Sequence, residues 1–309
     1  MADRLHPAGE WPQDSLDRIR SMLFVPGHRN AWLTGAAGTG ADAVVADLED
    51  SVPVAERAAA RAEVARFLAT RPAIPFFVRT HGVRDAEFAA DIRAAVSAST
   101  RAVVLPKVSD QGDVALADAA VAGLEREKGL PAGSIALILL IESARAIVRL
   151  AELIDASPRV AGTMFAGAEG GDLVRDLGAV WSTNPASLMY ARSRVLLESR
   201  AAGLRLIMDG VFARLRDPAG LRADTVLGRS LGYTGRSAIH PAQVTVINEV
   251  YSPTDAEVRE MRDLLAAYEK AVADGAGATA FRGRMVDFAM AESARAVLAR
   301  RRGKAEDGD

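Results

Sequence analysis

Eight times along this chain a short apolar run ends on a charged residue or a Pro/Gly turn and gives way to a helix-patterned stretch, and that alternation restricts the fold more than any other feature. The runs fall at residues 20–27, 41–50, 74–79, 101–107, 135–141, 160–165, 204–208 and 235–239. Strand-then-helix order demands parallel pairing with crossover helices, and eight such units favour a (β/α)₈ TIM barrel over an open doubly wound sheet. No Gly-rich dinucleotide fingerprint follows the first strand. The clearest unit begins at 135–141 (IALILLI), seven apolar residues, too few to span a membrane and suited to a strand buried on both faces. It ends on Glu142, with Ser143 placed to cap the next helix. Asp172 follows 30 residues later, just past the sixth strand. One βα unit separates the two acids, so both are expected at the same rim of the barrel, where their hard oxygens suggest a Mg²⁺ site.

Composition agrees with a large buried core. The 309 residues are 50% hydrophobic, enough for one barrel of about 250 residues with an appendage. The formal net charge is −2 with dispersed basic residues, which gives no footprint for a nucleic acid or an anionic membrane. There is no cysteine, which excludes disulfides, thiolate metal sites and a cysteine nucleophile. The first 19 residues carry Asp3, Glu10, Asp14 and Asp17 and show no apolar signal-peptide core, so a cytoplasmic location is expected. The predicted organisation is an N-terminal tail (1–19), the barrel (20–252), a helical extension (253–302) interrupted by a Gly/Ala joint at 274–278, and a polar, disordered tail (303–309).

Active sites of this fold are built at the C-terminal ends of the strands. That rule collects Glu49, Asp50, Arg79, Lys107, Glu142, Asp172 and His240 into one constellation. Each also has a structural reading. Glu142 could start a helix and favour its dipole; Glu169 competes with Asp172 as second metal ligand, and either could cap a helix. Arg79 and Lys107 could form internal ion pairs with the acids, Glu49 and Asp50 could make a turn before Pro53, and His240 could be a hydrogen-bonded structural histidine. His6, His28 and His81 show no metal-binding spacing.

Taken in order, Arg20-Ser-Met-Leu-Phe-Val-Pro-Gly27, the stretch from Gly40 to Asp50, Val78-Arg79, Leu105-Pro-Lys107, Ile141-Glu-Ser-Ala-Arg145, Tyr190-Ala-Arg-Ser193 and Ala238-Ile-His-Pro-Ala-Gln243 resemble the citrate lyase β-subunit family, in the HpcH/HpaI aldolase superfamily with malyl-CoA and citramalyl-CoA lyases. The resemblance implies a Mg²⁺-dependent enzyme that reversibly cleaves a 3-hydroxy-acyl-CoA into an acyl-CoA and an α-keto acid. It assigns Glu142 and Asp172 to the metal, Arg79 to the keto-acid carboxylate, and Glu49 and Asp50 to the metal's water shell. Phe24, Pro26, Arg20, Arg29, Lys107, Arg145, Gly167, His240 and Pro241 become the expected substrate and CoA contacts, with Arg20, Arg29 and Lys107 near the mouth for the phosphates. Gly283-Arg-Met-Val-Asp287 is similar to a segment of the longer members in which the aspartate rides on a lid and reaches a neighbouring subunit's site as acid/base. This implies a catalytic Asp287 and a homo-oligomer, trimer or hexamer; the alternative for Asp287 is a helix N-cap. The chain departs from the family at Phe165-Ala-Gly-Ala-Glu-Gly-Gly-Asp172, longer and richer in glycine than the usual Phe-Gly-x-Glu-Asp, which leaves the second ligand and the keto-acid pocket open. Two other functions remain: a thioester hydrolase, alone or following condensation as in malate synthase, and a non-catalytic thioester-binding subunit.

Overall fold

The computed structural model describes residues 16, 18–183 and 186–301, so the expected C-terminal tail and nearly all of the N-terminal one lie outside the described residues. Eight parallel strands close into a barrel in chain order, with the first pairing to the last. They are β1 (Ser21–Pro26), β2 (Ala43–Asp47), β3 (Phe76–Arg79), β4 (Thr100–Leu105), β5 (Ala136–Ile141), β6 (Val160–Phe165), β7 (Leu206–Asp209) and β8 (Gly235–Ala238). Between and after them run α1 (Asn30–Gly35), α2 (Arg57–Ala69), α3 (Phe88–Ala95), α4 (Gln111–Glu127), α5 (Ala144–Val148), α6 (Leu150–Asp155), α7 (Asp172–Asp176), α8 (Ala186–Ala201), α9 (Pro218–Leu231) and α10 (Pro241–Tyr251). The chain is the TIM barrel that the repeat predicts.

Side chains from alternating strand positions, among them Met22, Val45, Phe77, Val104, Ile138, Met164 and Met208, fill the barrel interior. β2 and β5 are buried along their whole length, as expected of strands covered by interior and helices alike. At Gly162 β6 leaves no room for a side chain against β7: a Cβ there would lie 2.4 Å from the Leu206 carbonyl oxygen. Local capping fixes where helices start. Asp110 and Asp113 form a reciprocal capping box that opens α4, and Ser143 accepts from the Ala146 N–H to open α5.

The structure differs from the sequence reading in several places. β2 stops at Asp47, so Glu49 and Asp50 stand on the loop beyond it. The helix after Ser143 breaks at Arg149 into α5 and α6. A helix, α10, follows β8 directly. The described residues from Glu249 onward form a second compact unit. It contains α11 (Asp255–Ala273), an antiparallel hairpin of β9 (Thr279–Phe281) and β10 (Arg284–Val286), and α12 (Phe288–Ala299), packed around Leu264, Tyr268, Val286, Ala291 and Ala294. Among the described residues no helix is long and apolar enough to cross a membrane.

Candidate active site

A cavity of about 430 Å³ opens at the C-terminal rim of the barrel. Phe24 and Pro26 from β1, Asp47 from β2, Asp50, Arg79 from β3, Glu142 and Asp172 all line it. Six of those seven are positions that the sequence picks out. Asp47 is the one it missed, although strand parity reveals it: Ala43 and Val45 point into the barrel interior, and Asp47 is next on that face.

Asp47 takes the side fork of the Arg79 guanidinium, with Nε donating to Oδ1 at 2.7 Å and Nη2 to Oδ2 at 2.6 Å. Nη1 lies 3.2 Å from Glu49 and 3.9 Å from Asp50, and the guanidinium stands 5.3 Å over the Phe24 ring. The ion-pair reading of Arg79 is therefore realised, and only the end-on N–H groups remain to meet a substrate carboxylate. Burial opposes charge on both partners, yet Asp47 holds the Arg79 pKa above its ordinary value and Arg79 holds the Asp47 carboxyl below the usual range. Glu49 is 1% exposed. Lys107 Nζ is 2.7 Å from its Oε1, but neither Glu49 oxygen makes a well-aligned hydrogen bond, and burial raises its pKa despite Arg79 and Lys107.

Lys107 serves a second acid through its backbone. With φ at 55°, in the left-handed region, it turns its N–H onto Glu142 Oε1 at 2.7 Å. Glu142 is 8% exposed, and burial, reinforced by Glu49 and Asp172, pushes its pKa up to about 7. Asp172 opens α7 and pairs with the exposed Arg175 at 2.5 Å. Glu169 is engaged elsewhere: Arg214 binds it through two hydrogen bonds of 2.8 and 3.0 Å and also lies 4.8 Å over the Trp181 ring. Of the two competing acids it is Asp172, therefore, that faces the cavity with Glu142.

Five carboxylates (Asp47, Glu49, Asp50, Glu142, Asp172) thus meet three cations (Arg79, Lys107, Arg175). When all are ionised, two negative charges remain in excess, and the Glu142 pKa, raised first by burial, is raised further by Glu49 and Asp172. Among the described residues no three His, Cys, Asp or Glu converge as a closed metal cage. Two carboxylates opening on a cavity instead fit Mg²⁺, which keeps several waters and draws further ligands from substrate.

The remaining candidates are placed differently. Arg20 precedes β1 at the opposite end of the barrel, where its Nε and Nη2 bind Asp42 at 2.8 and 2.9 Å. A strand of six residues, roughly 20 Å, separates it from the rim, which corrects the expectation that it sits near the mouth. Arg29 is exposed after β1 and stacks 5.5 Å from Trp32. Arg145 is exposed on α5. Gly167 lies beside the cavity; a Cβ there would meet the Phe165 ring at 2.3 Å, and its carbonyl accepts from Trp181. His240 is exposed and accepts the Ala242 N–H at Nδ1, while Pro241 starts α10. Asp287 caps α12, accepting from the Met290 N–H at 3.1 Å.

Comparisons with known proteins place this geometry. Residues 20–241 match the HpcH/HpaI aldolase/citrate lyase family. The citrate lyase subunit beta of Leuconostoc mesenteroides subsp. cremoris is 34% identical over 281 residues, covering 90% of this chain and 92% of that protein. A (3S)-malyl-CoA thioesterase of Cereibacter sphaeroides is 33% identical over 302 residues, covering 97% and 96%. Among solved structures, CitE from Mycobacterium tuberculosis in complex with magnesium, acetoacetate and coenzyme A superposes with a TM-score of 0.74 at 29% identity, covering 91% of this chain and 97% of that one. Another structure is citrate lyase beta subunit of the same organism complexed with oxaloacetate and magnesium, with a TM-score of 0.62 at 28% identity, covering 77% and 100%. On sequence and architecture together, this chain belongs to the HpcH/HpaI aldolase/citrate lyase family.

Proposed function

We propose that the protein is a Mg²⁺-dependent carbon–carbon lyase that reversibly cleaves a 3-hydroxy-acyl-CoA of the malyl or citramalyl type into an acyl-CoA and an α-keto acid. The observation that carries this reading is the opening of Glu142, Asp172 and Arg79 onto one cavity at the strand ends. Magnesium bound by Glu142 and Asp172 would supply Lewis-acid polarisation of the hydroxyl and carboxylate oxygens. Arg79, fixed by Asp47, orients the substrate carboxylate with its end-on N–H groups. Glu49 and Asp50 order water beside the metal ligands. Asp287, acting on a neighbouring subunit's substrate as the family resemblance implies, takes a proton from the thioester α-carbon in condensation and returns it in cleavage. Arg29, Lys107, Arg145, Gly167, His240 and Pro241 complete the proposed contacts to thioester and keto acid.

Incubation with Mg²⁺ and malyl-, methylmalyl- or citramalyl-CoA, followed by mass spectrometry, tests the reading: acyl-CoA and keto acid should appear in equal amounts. Free CoA without keto acid would replace the lyase by a thioesterase, the activity named for the Cereibacter sphaeroides relative. No product and no Mg²⁺ binding would point to a non-catalytic subunit.

A further inference from the structure

A second cavity, of about 260 Å³, lies beside the first at the ends of β6, β7 and β8. Phe165 and Val211 line both and so stand between them. The Phe165 ring is confined from above by Gly167, where even a Cβ would collide with it. Behind this partition the charged groups are mutually neutralised. Arg192 pairs with Asp209 and Asp224, and Arg236 lies against the same two acids. Two arginines against two aspartates leave no net charge with which to select an ion. The remaining wall includes Leu188, Phe212 and Leu227 and the edge-on pair Trp181–Phe212, whose ring centroids are 6.2 Å apart.

We infer that Phe165 and Val211 limit the size of the substrate at its metal-bound end, and that the annex behind them takes an uncharged alkyl extension of a 2-oxo acid once the partition is opened. The end is assigned by shared lining: Phe165 and Val211 face the same cavity as Asp172, Glu142 and Arg79, the groups that would hold the oxo-acid head. This inference rests on the oxo-acid reading of the main cavity.

The test compares pyruvate, 2-oxobutyrate and 2-oxovalerate by titration calorimetry with Mg²⁺, and by turnover, in the wild type, Val211→Ala and Val211→Ala/Leu227→Trp. In Val211→Ala the affinity and kcat/KM ratios of 2-oxovalerate to pyruvate, which differ by two methylenes, should rise by at least about tenfold, the lower bound for discriminating even one methylene. Adding Leu227→Trp fills the annex from a residue that lines it and not the main cavity, and should cancel that rise, which mere loosening of the main cavity would not. If pyruvate binds but the ratios stay unchanged in Val211→Ala, or the rise survives Leu227→Trp, the partition is overturned and the oxo-acid reading stands. Failure of every 2-oxo acid to bind the wild type and both variants defeats the oxo-acid reading and this inference with it.

Discussion

Arg79 is the partner on which two nearly inaccessible carboxylates depend, since Asp47 and Glu49 are 2% and 1% exposed. Replacing it by Ala strands Asp47 and leaves Glu49 to Lys107 alone, so Arg79→Ala should cost about 3–5 kcal/mol in denaturant unfolding, besides any loss of turnover. Glu142 gives a pH signature. Its metal-free pKa of about 7 means that a proton must leave before it can ligate. Mg²⁺ affinity should therefore fall by about tenfold per pH unit below about 7 and level off above it. Calorimetry in buffers of different ionisation enthalpy should show proton release at pH 6 and almost none at pH 8.5, and Glu142→Gln should abolish the dependence. Asp287 allows cap and chemistry to be separated, because asparagine caps helices about as well as aspartate. Asp287→Asn should keep Tm while lowering kcat by at least about 10²-fold; unchanged turnover would remove the residue from the reaction. At this scale the charged strand ends were legible one by one. The ion pairs of Arg79 and Lys107 with Glu49 and Asp50 were expected too, whereas Asp47 with Arg79, set by the register of β2 against β3, and Glu169 with Arg214 were not, because spacing along the chain encodes neither strand register nor the approach of two loops.

Secondary structure was most legible where local chemistry decides it. α4 and α9 are each opened by an aspartate cap, Asp110 and Asp217. The hairpin of β9 and β10 escaped notice because its strands have three residues each and its turn is Arg282-Gly283 rather than an asparagine–glycine pair. Both turn residues nonetheless have positive φ, 48° and 76°, as a type I′ turn requires. Gly162 offers a test of how closely β6 and β7 pack. Gly162→Ala places a methyl against the backbone of β7, which no side-chain rotation relieves, and thermal unfolding should report a loss of about 1–3 kcal/mol.

For the molecule as a whole, closure of the barrel followed from counting repeats, whereas the fate of the last sixty residues depended on resemblance. If Asp287 serves a neighbour's barrel, inactive Glu142→Gln and Asp287→Asn proteins unfolded and refolded together should recover about one quarter of wild-type turnover by random pairing of intact barrel with intact lid. No recovery in assemblies verified as mixed would confine each site to a single chain. Across the rim, Lys107 holds its two acids by unequal means: a peptide N–H for Glu142 and an ammonium for Glu49. Asparagine or glycine, which accept a left-handed backbone, would preserve the first hold and erase the second. Lineages that drift at this position can therefore lose the ammonium's grip on Glu49 and still inherit the anchor of Glu142, which belongs to the main chain and needs no lysine codon to persist.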